Sequence, residues 1–152
     1  MVIKQLSSTA MQELRYLLEQ MNTCALALEE IGKKEQEAIH LLDSDRVLQL
    51  SERRVNAHQQ LGELEKECHG LLRRQNIPAD MTLEVVIDMY AGTQAADFQA
   101  LRRKLYERIM VVDQSSQENR LRLLAAYNVT STILQKLGLT QNSTTYSRSG
   151  AK

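Results

Sequence analysis

The last third of the chain carries a row of residues spaced three and four positions apart over about ten helical turns. Such spacing places every member on one face of an α-helix. It predicts one long helix over residues 97–137. The row consists of Phe98, Leu101, Leu105, Ile109, Val112, Ser116, Asn119, Leu123, Ala126, Thr130, Ile133 and Leu137.

A second apolar row lies beside the first in the last four turns of this predicted helix. The apolar arc is therefore wider there than one neighbouring helix can cover, and we expect it to pack partly on its own chain and partly on a guest. The second row contains Leu121, Leu124, Tyr127 and Leu134.

Two polar residues, Ser116 and Asn119, interrupt the first row in its middle. One interpretation is a polar layer that sets the register between helices, as a buried Asn does in coiled coils. The other is that the middle of this helix is not buried against its own chain. The sequence leaves both open.

The first half of the chain contains two heptad rows, one ending at Leu42 and one beginning at Val47, on either side of a short acidic turn at residues 43–45. The rows predict helices over 9–42 and 46–74, and the short turn makes them antiparallel neighbours. One Pro and six Gly in the whole chain leave few places where a helix could break.

Each of the two rows contains a single charged residue, Glu35 in the first and Arg54 in the second. Folding the chain back at Ser44 places them opposite each other. We expect an ion pair that fixes the register more than it adds stability, because a pair only partly offsets its own desolvation. Alternatively, both side chains reach solvent past the edge of the seam.

The remaining segments complete an all-α fold. Pro78 and Asp80 predict the start of a short helix over 81–90, and Gly138 predicts the end of the long helix. The Ser- and Thr-rich residues 140–152 predict a mobile tail. Together, these segments predict one helical domain over residues 1–152. It is an elongated, coiled-coil-like bundle that consists of a long antiparallel hairpin and a third long helix.

Charge and hydropathy exclude several classes of protein. Nineteen basic and nineteen acidic residues cancel, whereas a nucleic-acid binder has a clustered basic excess. No apolar run is long enough for a membrane span, and the first residues lack the apolar segment of a signal peptide, so we expect no membrane insertion and a cytoplasmic location. There, Cys24 and Cys68 are expected to remain thiols.

The sequence contains no strong catalytic or metal-binding motif, and we expect no cofactor, no metal and no enzymatic activity. The three histidines lack the spacing of metal ligands, and no phosphate-binding glycine loop occurs. An arginine-lined anion pocket, as in some all-α enzymes, is one alternative, and solvated helix flanks are the other. The residues concerned are Arg53, Arg54, Arg73, Arg74, Arg102, Arg103 and Lys104.

The long helix and the tail resemble the FlgN family of flagellar export chaperones. Residues 117–119 (Gln-Glu-Asn) precede the pair Leu123-Leu124, and a tail Tyr, Tyr146, is followed within a few residues by Gly150. The first half is similar to the family as well, with a long helix, an acidic turn and a second helix that carries a basic seam residue.

The resemblance implies a cytoplasmic chaperone that holds the terminal segments of hook-associated (hook–filament junction) proteins and delivers them to the type III export apparatus. It implies that Tyr146 and Gly150 dock on the cytoplasmic domain of the export gate, with the export ATPase as a further candidate partner. The residues expected to bind the guest are Asn119, Leu121, Leu123, Leu124, Tyr127, Ile133, Leu134 and Leu137. A structural adaptor that self-associates through the same apolar face is the alternative.

Overall fold

The computed structural model describes residues 4–138, and within them it contains helices and no strands. The all-α prediction is confirmed. Four α-helices follow one another, with one 3₁₀ turn at Gly92–Gln94: α1 (Ser8–His40), α2 (Ser44–Arg74), α3 (Leu83–Tyr90) and α4 (Ala95–Leu137). The predicted tail lies outside the described residues.

The helix starts differ from the predicted ones by one or two residues. The short helix begins at Leu83 because the Thr82 hydroxyl, and not the Asp80 carboxylate, accepts the N–H of Val85 at 3.4 Å. The long helix begins two residues earlier than predicted, at Ala95, because the 3₁₀ turn leads directly into it.

Helix α1 is the centre of the structure, because both other long helices pack on it. Helix α2 returns antiparallel, as predicted. Helix α4 runs parallel to α1, since the antiparallel α2 has already brought the chain back to the start of α1. Helix α3 lies at this end, where the Leu6 N–H bonds the Tyr90 carbonyl at 3.0 Å. Around that end, Phe98 is fully buried in the larger of two apolar cores.

The face of α1 that receives α4 carries its own heptad row. These residues are buried on the side of α1 next to the predicted hairpin seam: Met11, Leu18, Ala25, Gly32 and Ile39. Small side chains in the row let the two helices approach closely. A Cβ atom added to Gly32 would lie 2.6 Å from the Oγ of Ser115 in α4.

Helix α1 ends two residues before the predicted position. The N–H of Asp43 bonds the carbonyl of Ala38 at 2.9 Å, and the N–H of Leu42 bonds that of Ile39 at 3.0 Å. This is a Schellman motif, in which Leu42 takes the left-handed conformation with φ 55°. The prediction that Leu42 extends the helix and its buried seam is wrong, because this turn leaves its side chain 68% exposed.

The predicted ion pair of Glu35 and Arg54 is present. The Nε of Arg54 donates to Glu35 Oε2 at 3.0 Å, a second Arg54 nitrogen donates to Glu35 Oε1, and both side chains are largely buried. A third Arg54 nitrogen donates to the Ser116 hydroxyl of α4. Burial and the Arg54 charge lower the pKa of nearby His58, against an opposing effect of Glu35.

Asn119 completes this polar layer from the α4 side. Its Nδ2 donates to the Gly32 carbonyl at 2.8 Å and to Glu35 Oε1 at 3.4 Å, and its Oδ1 accepts from Arg122 at 2.7 Å. The interpretation of Ser116 and Asn119 as a polar layer between helices therefore holds, and it joins all three long helices.

Both cysteines are free thiols, as expected. Burial raises the pKa of Cys68 to about 11, with the charge of Glu65 acting in the same direction. Burial also raises the pKa of the half-exposed Cys24.

The close approach of α1 and α4 predicts opposite results for the same substitution at two helical glycines. Gly62→Ala, in open space on α2, should raise the free energy of unfolding by roughly 0.5–1 kcal/mol, because Ala favours the helix. Gly32→Ala should lack that gain or lower stability, because the new methyl group meets the Ser115 hydroxyl.

Urea unfolding of the two variants tests this prediction. In the double variant Gly32→Ala/Ser115→Ala, the nearest Ser115 atom left is its Cβ, 3.5 Å away, so the gain seen at Gly62 should return. Equal stabilisation by both single substitutions would contradict the close contact of α1 with α4.

Candidate functional site

Helix α4 extends beyond the hairpin on which it packs. Met11 of α1 contacts Gln94, just before α4, and Gly32 contacts Asn119, which places the end of α1 at His40 beside residues 123–127 of α4. The last part of α4 therefore projects by about eleven residues, or about 16 Å at 1.5 Å per residue.

Beyond the polar layer, α4 buries none of its side chains. Its last buried residue is Asn119, and residues 120–137 are all exposed or half-exposed. The exposed apolar side chains of this segment are Leu121, Leu123, Leu124, Tyr127, Val129, Ile133 and Leu137. We call residues 120–137 the free half of α4 and residues 95–119 its docked half.

An open apolar groove lies where the free half begins. It has a volume of about 510 Å³ and separates α4 from the tip of the hairpin. The α4 side consists of Leu123, Ala126, Tyr127 and Thr130, and the hairpin side consists of Ile39, Leu42, Ser44 and Val47. Apolar side chains around a concave opening are what a buried guest side chain requires.

The structure divides the predicted guest-binding residues between two sides of α4. Leu123 and Tyr127 line the groove. Ile133, Leu134 and Leu137 lie at helical spacing from Ala126 and Thr130, so they continue the groove side beyond the hairpin.

Leu121 occupies the other side of α4. Leu121 is two residues from Asn119, which points to α1, and two residues turn a helix by about 200°. Leu124 lies between that side and the groove. Both are exposed, at 65% and 57%, but neither lines the groove.

Asn119 has a different position from the other members of the predicted set. Its side chain is 3% exposed, and both its amide nitrogen and its oxygen are engaged within the chain. In this arrangement Asn119 anchors α4 to α1 and offers no atom to a guest. Tyr146 and Gly150, the predicted export-gate residues, lie outside the described residues.

Sequence reasoning missed the hairpin side of the groove. Ile39, Leu42 and Val47 line it, whereas the heptad rows predict hairpin-seam positions for Leu42 and Val47 and make no prediction for Ile39. The sequence contains one signal for this side, a group of apolar residues on both flanks of the acidic turn. A turn that faces only solvent does not need them. They are Leu41, Leu42, Val47 and Leu48. Leu41 and Leu48 are each 63% exposed.

The arginines of the alternative anion pocket do not converge in the described part of the chain. Arg54 pairs with Glu35, Arg74 with Glu13 and Arg102 with Glu84. Neither the apolar groove nor a smaller polar cleft between α1 and α2 is lined by an arginine. No helix within residues 4–138 is long and apolar enough to cross a membrane.

Fold and groove together define an all-α scaffold whose longest helix presents an uncovered apolar surface beyond its own hairpin. The comparison with family models agrees with this class: the FlgN family model, described as "FlgN protein", matches residues 10–152. The chain belongs to the FlgN family, a family of flagellar export chaperones. The comparisons with curated proteins and with solved structures found no match.

Proposed function

We propose that this flagellar export chaperone holds the terminal segments of hook-associated proteins on the free half of α4. The guest is an amphipathic helix that lies in the groove and along its continuation past the hairpin, with anchors at positions i, i+3, i+4 and i+7. Holding these segments keeps the guest from assembling before it is exported.

The observation that carries the proposal is the uncovered apolar side of the free half. If α4 ended level with the hairpin, little of its apolar side would be exposed. Instead, α4 continues past the hairpin with Ile133, Leu134 and Leu137, which lie on the same side of the helix as the residues that pack on α1 in the docked half. Contiguous exposed apolar surface on a small protein marks an interaction site.

The expected affinity follows from the state of the guest. A terminal segment that is disordered before binding must be ordered on the chaperone, which consumes part of the interaction free energy. Binding is then moderate and release at the export apparatus is feasible without ATP hydrolysis by the chaperone.

Delivery is assigned to the tail. Tyr146 and Gly150 contact the cytoplasmic domain of the export gate, and the export ATPase is a further candidate partner. The family membership of the chain supports this part of the proposal. We propose that the protein acts in the cytoplasm, where its guests are made. Capture and delivery then depend on different segments.

Self-association through the same surface is the second candidate, since the exposed groove is equally open to another copy. Light scattering of the pure protein separates the two functions. A stable dimer or tetramer that ignores added hook-associated protein would favour the adaptor, and a species that changes mass only with the guest favours the chaperone.

Four substitutions separate capture from delivery. Ile133→Asp should abolish co-purification with a hook-associated protein, because a carboxylate replaces an anchor, while helical content stays unchanged. Leu124→Asp, at the edge of the groove side, should weaken capture strongly, and Leu121→Asp, on the far side, should weaken it less. Tyr146→Ala should leave capture intact and weaken docking on the export gate.

Co-purification and circular dichroism check the α4 variants, and a pull-down with the gate's cytoplasmic domain checks the tail variant. Capture that survives Ile133→Asp would place the guest site elsewhere. Loss of capture with Tyr146→Ala would contradict the separate roles of the groove and the tail.

The strained turn at the hairpin tip gives an independent prediction. Leu42 and Asn76 occupy the same position in equivalent Schellman motifs, with φ 55° and 62°, but Leu tolerates this conformation worse than Asn. Leu42→Gly should therefore raise the free energy of unfolding by roughly 1 kcal/mol. It should also weaken capture, because Leu42 lines the groove.

Asn76→Gly is the matched control, since it changes the same turn at the other end of the hairpin. It should alter stability little and leave capture unchanged. Thermal unfolding and guest titration of both variants provide the measurements. A Leu42→Gly variant that is more stable and captures the guest normally would remove the hairpin tip from the proposed site.

A further inference from the structure

The two halves of α4 differ in charge. In the free half, no acidic residue occurs between Asn119 and Gly138, and the segment contains three cations, Arg120, Arg122 and Lys136. The docked half is balanced, with four residues of each sign: Asp97, Glu107, Asp113, Glu118, Arg102, Arg103, Lys104 and Arg108. The charge excess is therefore confined to the uncovered part of the helix.

The cations border the apolar surface instead of crossing it. Arg120 is three residues before Leu123 and seven before Tyr127, which places it at one edge of the groove side. Lys136 lies at the other edge of the groove side, because it is rotated about 100° around the helix axis from Leu137, in the direction away from Arg120. Arg122 is engaged by Asn119 at 2.7 Å and lies 3.9 Å from Glu118.

Two of the three acidic residues at the hairpin tip, Glu37 and Asp43, are engaged, and Asp45 forms no ion pair within residues 4–138. Glu37 pairs with Arg46 at 3.0 Å, and the Asp43 carboxylate accepts the Arg46 backbone N–H at 3.2 Å. Most of the negative charge at the hairpin tip is thus used locally, and Arg120 and Lys136 remain for a partner.

From this arrangement we infer that the free half of α4 selects guest helices whose apolar stripe is bordered by carboxylates. Acidic residues on both flanks would meet Arg120 on one side and Lys136 on the other, which adds attraction during encounter and disfavours guests with basic flanks. Because it concerns the same surface, this selectivity rests on the proposed function and specifies its partner.

Charge and shape argue against other occupants. In a symmetric pair of copies, each protein would place the same cations against its partner, which is unfavourable. A flat anionic membrane could reach Leu137 at the end of α4, but the hairpin tip stands between it and the groove residues Leu123 and Ala126.

Peptides with one apolar stripe and different flanks test the selectivity on the full-length protein. Three labelled peptides of about four helical turns, with the anchors at i, i+3, i+4 and i+7 and Glu, Gln or Lys on both flanks, are titrated at low and at physiological salt. The Glu peptide should bind about tenfold tighter than the Lys peptide at low salt, and salt should reduce the difference.

Charge reversal supplies the matched variants. In Arg120→Glu/Lys136→Glu, the order of the peptides should invert. In Arg103→Glu/Lys104→Glu, an equal change at exposed positions of the docked half, the order should stay as in the unaltered protein. All variants are checked for unchanged helical content, and the peptide series on the unaltered protein is informative by itself.

Failure of the selectivity and failure of the proposed function give different results. Equal affinity for all three peptides, lost with Ile133→Asp, would overturn the selectivity and leave the groove as the guest site. No binding of any peptide would overturn both. Binding of phosphatidylglycerol vesicles that is lost with Ile133→Asp would overturn the selectivity in favour of a membrane contact.

Discussion

The polar layer formed by Glu35, Arg54, Ser116 and Asn119 determines where α4 is held. Buried ion pairs add little net stability, but leaving one partner alone is costly, so this layer specifies an arrangement more than it strengthens one. Arg54 is held by α1 and α4 together, and Asn119 reaches the backbone of α1 at Gly32. A shift of α4 by one turn would keep the Glu35–Arg54 pair but separate Ser116 from Arg54 and Asn119 from the Gly32 carbonyl, which would leave buried polar groups unpaired.

The polar layer also marks the end of the docked half of α4, which is the part that packs on the protein's own helices. Before it, α4 packs on a row of small and medium side chains of α1, and after it α4 finds only the tip of the hairpin and then solvent. The proposed function follows from this mismatch of lengths: one helix is firmly placed and yet keeps an apolar side uncovered. The proposed guest site thus requires no opening or unfolding of the core.

Sequence patterns predicted the hairpin well because its information is local. Two heptad rows with a short turn between them determine the pairing, and the single charges in the rows identify the register that the structure contains. The direction of α4 was not predicted. Its signal is the second row on α1, and that row includes Ala25 and Gly32, which do not stand out as a hydrophobic pattern.

The groove could be predicted only in part for a similar reason. Its α4 side is visible as a wide apolar arc, but its hairpin side depends on how far α4 extends past α1, which no spacing within one helix reveals. Leu42 is an example at a single residue. Its heptad position predicts a buried seam residue, but the hydrogen bonds of the Schellman motif end the helix before it and leave its side chain exposed. Asn119 shows the reverse case, where a polar residue in an apolar row is an internal anchor.

Hydrogen exchange along α4 tests the central claim most directly, because it reports on the free and docked halves in one experiment. In the free protein, amides of residues 120–137 should exchange faster than those of residues 95–119, and addition of a hook-associated protein's terminal segment should protect residues 120–137 while the docked half changes little. Strong protection of residues 120–137 before the guest is added, or protection by the guest only on other helices, would contradict a guest site on the uncovered end of α4.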